Sequence, residues 1–400
     1  VSEKLIKTAD QKNVPIINVV HSEYSCETPL DNRREIIKYV CIRESIKDHI
    51  IKEHNIPKEK CVVIHNGVDR TRFKEQKKSV RDYYKIVVPC TLDPLREKFL
   101  NHLIAGANKK RRVFIYGTNC GANIKDSEYV RLENPKFNIE KEIADADEVA
   151  GILLGRVNLE AWSCGVPSSI YDPETLSTQL IHPPKNFDEL YNIKNVAKKL
   201  ISFLEELYDD TTFVIAHYDQ TTKLKRLLDE LSFAKHIIVS KNGTFSQSNN
   251  VAVRAVTTKN IILVNDDVIP QGPFVFLGML DKLKEFDIVG CSVFPKCNGF
   301  DIIDGKLINR NNLDFCKYPS GCALALKTET YNKLEGFSEE SKNGAEDVDM
   351  FLRAEEMGMK IGKYRGEALF HHESASTGRF SHLNYNIITF NKKWKGKCTL

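Results

Sequence analysis

Ile261-Ile262-Leu263-Val264-Asn265-Asp266-Asp267-Val268 carries an apolar, β-branched run straight into two carboxylates. Four apolar residues in succession predict a strand buried on both faces, as in a parallel sheet. In open parallel sheets, ligands bind just beyond the carboxyl ends of the strands. Two acids at such an end can hold a hard divalent cation, and the cation can hold a diphosphate. An isolated Asp-Asp after a strand is also an ordinary acidic turn. The residues downstream decide between these readings.

About eighty residues later stands Gly344-Ala345-Glu346-Asp347-Val348-Asp349-Met350-Phe351-Leu352-Arg353-Ala354, a Gly-led loop entering an amphipathic helix. Acids in a first helical turn suit the positive end of the helix dipole. Capping accounts for one acid better than for three. Beyond it, Lys360–Tyr364 and Glu367–Phe370 predict two short strands, the second running into His371-His372-Glu373-Ser374. A lone His at a strand end is usually structural. A His pair that comes after two acid pairs is a better candidate for a metal ligand.

Taken in order, these segments resemble a family 2 glycosyltransferase of GT-A fold from about Thr212 to Trp394. Thr212–Asp219 resembles the first strand and the loop that receives the nucleotide, and Ile237–Thr244 the second strand and its turn. Asn249–Ala255 resembles the next helix, with Asn250 in the family's Asn position. Asn265-Asp266-Asp267 stands at the family's Asp-x-Asp motif, and Glu346-Asp347 at the acidic pair that carries the base. The resemblance implies Asp267, His371 and Asp266 as ligands of Mn2+ or Mg2+, with His371 ahead of His372. It implies Asp347 as the base that takes a proton from an acceptor hydroxyl, with inversion at the anomeric carbon. His217, Asp219, Asn242, Asn250, Asp266 and Glu346 are the implied contacts to the nucleotide sugar. Many relatives have an Asp that touches the base where this chain has Lys241, and a Lys accepts no hydrogen bond. The donor base is therefore left open. Ser374–Asn386 is read equally as a lid over the donor or as an ordinary loop.

The first half predicts a second α/β domain. Strands are expected at residues 36–42, 61–65, 85–89 and 112–117, with a helix from Ser45 to Asn55. Alternation of this kind predicts a doubly wound parallel sheet. Asn186–Leu207 has helical periodicity, with apolar residues at Val196, Leu200, Ile201, Leu204 and Leu207. Ile64-His65-Asn66-Gly67-Val68-Asp69 and Leu159-Glu160-Ala161-Trp162-Ser163-Cys164-Gly165-Val166-Pro167 resemble the nucleotide-binding half of a family 4 glycosyltransferase of GT-B fold. A donor site there would use Asn66, Gly67, Arg96, Lys98, Arg156 and Glu160. Leu153 and Thr91 replace that family's usual Glu and Arg, so residues 36–208 read as an incomplete or degenerate site. Val14–His21 resembles the last strand of the acceptor-binding half, which makes residues 1–35 the remnant of a preceding domain. The expected architecture is two Rossmann-like domains, a GT-B C-terminal-type half (36–208) and then a GT-A domain (211–395).

Composition agrees with a packed enzyme: hydrophobic residues are 42% of the 400, too many for disorder. A formal net charge of +4 with 28% charged residues implies no strong nucleic-acid patch. The 11 Cys are scattered without C-x-x-C pairs, which predicts reduced thiols and a cytoplasmic location. Cys316 and Cys322 read as loop neighbours rather than as a disulfide. The expected partners are a nucleoside-diphosphate sugar and a glycan or lipid-linked glycan acceptor. Peripheral association with a membrane is compatible with this, and a transmembrane segment is not expected. The alternatives are a nucleotidyltransferase-like enzyme and a nucleotide-sugar-binding scaffold.

Overall fold

The computed structural model describes residues 16–21, 36–94, 96–152, 154–171, 175, 177–219, 221–270, 272–295, 299–313, 316–342, 344–372 and 381–400. By contacts the chain divides into two compact units, Val63–Leu200 and the combination of Val1–Val62 with Ile201–Leu400. This division differs from the one the motifs suggest, because residues 36–62 group with the second half. The reason is visible in the hydrogen bonding. Strands Ile16–Val20, Ile36–Cys41 and Cys61–Val63 form a three-stranded sheet of their own and do not extend the sheet of the 63–200 unit.

In the larger unit a seven-stranded sheet runs, edge to edge, His236–Ser240, Thr211–Ala216, Asn260–Asn265, Ala323–Lys327, Ile288–Phe294, Ile361–His371 and Val268–Ile269. Thr211–Ala216 is parallel to both of its neighbours, whereas Ala323–Lys327 is antiparallel to Asn260–Asn265 and to Ile288–Phe294. The decisive strand is apolar on both sides because each side meets a different core. Ile262 and Val264 join Phe213, Ile215 and Phe276, while Ile261 and Leu263 join Val214, Leu324 and Tyr331. Successive side chains of a strand alternate faces, so two cores require an unbroken apolar run. Full burial of each such side chain is worth roughly 1.5–3 kcal/mol.

The helix Phe245–Val253 starts where the sequence provides reciprocal capping. Thr244 Oγ1 accepts from Gln247 N at 3.3 Å, and Gln247 Oε1 accepts from Thr244 N at 3.0 Å. The two strands expected at residues 360–370 are one strand, Ile361–His371, whose pairing skips from Cys291↔Tyr364 to Ser292↔Ala368.

The unit Val63–Leu200 holds a six-stranded sheet in the order Val130–Glu133, Arg111–Tyr116, Tyr84–Pro89, Glu148–Gly151, Ser168–Tyr171 and Thr178–Ile181. The first five are parallel and the last is antiparallel. Both units are thus α/β and Rossmann-like, as expected. The helix expected over 186–207 is two helices, Phe187–Tyr191 and Ile193–Glu206. Val68 N donates to Tyr191 O and Ile193 N donates to Val68 O, and this exchange takes Tyr191 O and Ile193 N, on either side of Asn192, out of the helical ladder. Leu200 and Ile201 are about half exposed, at 45% and 50%. The nine described cysteines are free, Cys316 and Cys322 among them. No helix among the described residues is long and apolar enough to cross a membrane.

Candidate active site

Asp266 and Asp267 come directly after strand Asn260–Asn265, and both are buried, at 5% and 6% exposure. They are handled differently. Asp266 Oδ2 accepts from His217 Nδ1 at 2.8 Å and from Tyr218 N at 3.3 Å. Burial pushes the Asp266 carboxyl above its ordinary range, and the bond from His217 opposes that rise. His217 ends the neighbouring strand Thr211–Ala216, in which Ala216 pairs with Asn265. Parallel register alone therefore brings these two side chains together.

Asp267 faces the other way. Val268 pairs with His371 across the antiparallel strand ends, and His372 N donates to Asp267 O at 3.1 Å. This sets His371 Nε2 3.1 Å from Asp267 Oδ1, with His371 only 5% exposed. Among the described residues, neither ring nitrogen of His371 has an aligned hydrogen-bond partner, and the buried Asn265 Oδ1 has no donor. Buried polar atoms in this state suit a polar or cationic ligand. Among the described residues, no group of three or more His, Cys, Asp and Glu side chains is arranged to hold a metal ion. His372 packs edge-on against Phe370, and burial, then the field of Lys223, holds its ring below the ordinary His value.

Asp347 lies in the first turn of helix Glu346–Glu356. The residue before the helix, Ala345, has φ 70°, a left-handed conformation costly for a residue with a side chain. Asp347 Oδ2 accepts from Gly321 N at 3.1 Å, and Oδ1 accepts from Val348 N at 2.9 Å. Gly321 lies just before strand Ala323–Lys327, and Cys322 O accepts from Asn265 N at 2.9 Å. The Asp347 carboxylate is thus fastened to the same sheet end that carries Asp266 and Asp267. Gly321 was not a sequence candidate. The one local signal was a Ser-Gly turn before a buried strand. A Cβ at this position would stand 2.5 Å from Asp347 Cβ, so only glycine allows the approach.

The third acid of the helix has a different task. Asp349, 2% exposed, accepts from Arg353 Nε at 2.8 Å and Trp394 Nε1 at 3.0 Å, and pairs with Lys393 Nζ at 2.8 Å. It ties helix Leu383–Lys393 to helix Glu346–Glu356. Glu346 is half-buried beside Asp347.

Asn250 is also structural. Its Nδ2 donates to Phe337 O and Glu339 Oε1, each at 2.9 Å, and its Oδ1 accepts from Tyr331 Oη at 2.6 Å and Phe337 N at 2.9 Å. All four hydrogen-bonding places of the amide are used. The amide expected to contact the nucleotide is thus engaged within the protein. Asp219, Lys241 and Asn242 are exposed, and Asn242 is held by Ser248 Oγ and Ser240 Oγ, each at 2.9 Å. Glu373 and residues 374–380 of the suggested lid lie outside the described residues.

In the other unit, Arg156 Nε donates to Glu160 Oε1 at 2.8 Å along helix Arg156–Ser163. Burial pushes the Glu160 carboxyl up, and the Arg156 charge opposes this. Arg96 pairs with Asp93 three residues before it, and Lys98 is exposed. Gly67 packs on the helix start at Ile193, where a Cβ would come within 2.9 Å of Ile193 Cα, and Asn66 beside it is half-buried. Leu153 lies outside the described residues.

No family model matches the sequence, and no curated protein matches it. The structure is similar to Anabaena HepE in complex with UDP and glucose, at 12% identity, 49% of this chain, 73% of that one and a TM-score of 0.40. It is similar to the lipopolysaccharide outer core galactosyltransferase WaaB in its apo form, at 11% identity, 51% and 78% coverage and a TM-score of 0.33. A mutant Drosophila β-1,4-galactosyltransferase 7 with manganese, UDP-galactose and xylobiose gives 12% identity, 42% and 67% coverage and a TM-score of 0.28. At TM-scores this low, the likeness carries no inference about chemistry.

Proposed function

We propose that residues 211–395 act as a metal-dependent, inverting glycosyltransferase. It moves a sugar from a nucleoside-diphosphate sugar to a hydroxyl of a glycan or lipid-linked glycan acceptor. The observation that carries this reading is that three carboxylates lie at one sheet end: Asp266 with His217, Asp267 with His371, and Asp347 held by Gly321 N. Two of them are buried, and one is half-buried and faces the helix dipole.

The residues fit a divalent cation, since Asp267 offers an oxygen and His371 an unaligned buried nitrogen. Mn2+ or Mg2+ bound by them would neutralise charge on the departing diphosphate. His217 orients Asp266 and leaves the latter's second oxygen for the donor ribose or the cation. Asp347 accepts the proton of the acceptor hydroxyl as its oxygen attacks the anomeric carbon and the bond to the diphosphate breaks. Attack opposite the leaving group inverts that carbon. The bonds from Gly321 N and Val348 N hold the Asp347 carboxylate before the substrate arrives, and such positioning supplies much of the rate.

For residues 63–200 we propose a degenerate donor site without turnover of its own. Arg96 is committed to Asp93 and Glu160 to Arg156, which leaves little free charge for a diphosphate.

The test is calorimetry with UDP, GDP and dTDP, with and without Mn2+, and then Asp347→Asn. Metal-dependent binding is expected. Asn keeps one acceptor for Gly321 N, so the variant should bind donor and metal while transfer falls by orders of magnitude. Binding that ignores the metal, or near-normal transfer by Asp347→Asn, would remove the assignment.

A further inference from the structure

The helix Thr221–Glu230 comes after the nucleotide loop, and its Lys223 and Arg226 have no part in the site as described. Leu227 is fully buried, and Leu224 and Leu228 pack on the same core, which fixes the rotation of the helix. The helix touches strand Val268–Ile269, whose Val268 pairs with His371. Lys223 and Arg226 are three residues apart, so they project together along one flank of the buried face. Both lie near enough to His372 for their charge to act on its ring. Lys223 is half-buried, Arg226 is exposed, and neither pairs with a described carboxylate.

We propose that Lys223 and Arg226 form a cationic wall that receives the diphosphate of the donor and takes up its charge as the sugar leaves. This rests on the glycosyltransferase reading and adds residues to it. The need arises from charge balance. A divalent cation held by Asp267 keeps only part of its charge for the donor. A sugar-linked diphosphate carries more negative charge than that remainder, and its charge grows by one when the bond to the anomeric carbon breaks. Groups that face charge as it develops favour the transition state over the bound donor. Arg presents a planar fork to phosphate oxygens, and Lys a mobile point charge.

The experiment uses the full chain with Mn2+ and UDP, GDP and dTDP. Calorimetric affinity is measured at several salt concentrations for the wild type, Lys223→Gln, Arg226→Gln, the double variant, and a charge-conserving swap, Lys223→Arg with Arg226→Lys. Each Gln variant should bind the preferred diphosphate roughly tenfold more weakly, as for loss of a charged hydrogen bond. The salt dependence should flatten with each charge removed, and affinity for the nucleoside alone should not change. The swap should bind within about threefold of wild type. Gln variants with wild-type affinity and salt dependence overturn the inference and leave the glycosyltransferase reading intact. So does a folded swap variant that loses binding. If the wild type binds none of the three nucleotides, the reading of the site fails and takes the inference with it.

Discussion

Replacing Gly321 with alanine tests the placement of the proposed base without touching its carboxylate. Gly321 is outside the left-handed φ region, so the backbone accepts alanine, and the whole effect comes from the added methyl. That Cβ would sit 2.5 Å from Asp347 Cβ and 2.6 Å from its Oδ2. Ordinary contact lies near 3.4 Å or beyond, so one side must move by about 1 Å. Helix Glu346–Glu356 cannot retreat, because Val348, Met350 and Phe351 are buried to 1% exposure or less. The shift therefore falls on the Asp347 side chain and the Gly321 turn, and it breaks the 3.1 Å bond between them. A misplacement of this size costs about 100-fold in turnover, or roughly 2.7 kcal/mol of barrier. Overpacking should lower stability by about 1–3 kcal/mol. Released nucleoside diphosphate reads the turnover, and calorimetry reads nucleotide affinity, which should hold because Asp267 and His371 sit on other strands. Transfer within threefold of wild type would refute the idea that Gly321 positions Asp347. A parallel fall in nucleotide affinity would refute the separation of base from metal edge.

Two further outcomes concern stability. Asn250→Ala strands Phe337 N and Tyr331 Oη, and urea unfolding should show a loss of about 2–3 kcal/mol with unchanged nucleotide affinity; a selective loss of nucleotide binding would restore the expected ligand role. In the 63–200 unit, Lys85 Nζ lies 3.0 Å from Glu142 Oε2 and 2.8 Å from Asp145 Oδ2, with Lys85 itself 6% exposed. Burial pushes both carboxyls up, but hydrogen bonds from Lys136, Lys85 and Tyr116 hold Glu142 at about 2, and bonds from Lys85 and Ser79 hold Asp145 at about 2. Both values lie below the unfolded ones, so this stability is complete above the ordinary carboxylate range and is lost as pH falls toward 2. Lys85→Met should cost about 3 kcal/mol at neutral pH and flatten that acid limb. Stability curves that stay parallel from pH 7 to 2 would count against the cluster.

Much of the fold was legible because its signals are local. The strand Asn260–Asn265 announces itself by an apolar run that serves two cores. Helix Phe245–Val253 overlaps the expected Asn249–Ala255 and begins four residues earlier, at a Thr-x-x-Gln box. Strand ends, and hence the acids beyond them, are located by where such runs stop. Asn192, where one expected helix becomes two, was not legible, since the break comes from Val68, far away in sequence. Nor was the grouping of residues 36–62, which depends on which strands share hydrogen bonds.

By itself, the sequence determined that this is an α/β protein with acids and histidines at strand ends, because periodicity and chain order are properties of neighbours. Tertiary structure alone decided how similar residues divide their work. Of three acids in one helical turn, register against Gly321 directs Asp347 to the sheet end, while contact with Trp394 and Lys393 makes Asp349 a structural tie. Of two adjacent histidines, strand alternation turns one toward Asp267 and the other onto Phe370. A residue's type sets the chemistry it can perform, and only its partners across the fold determine which part of that chemistry it is free to use.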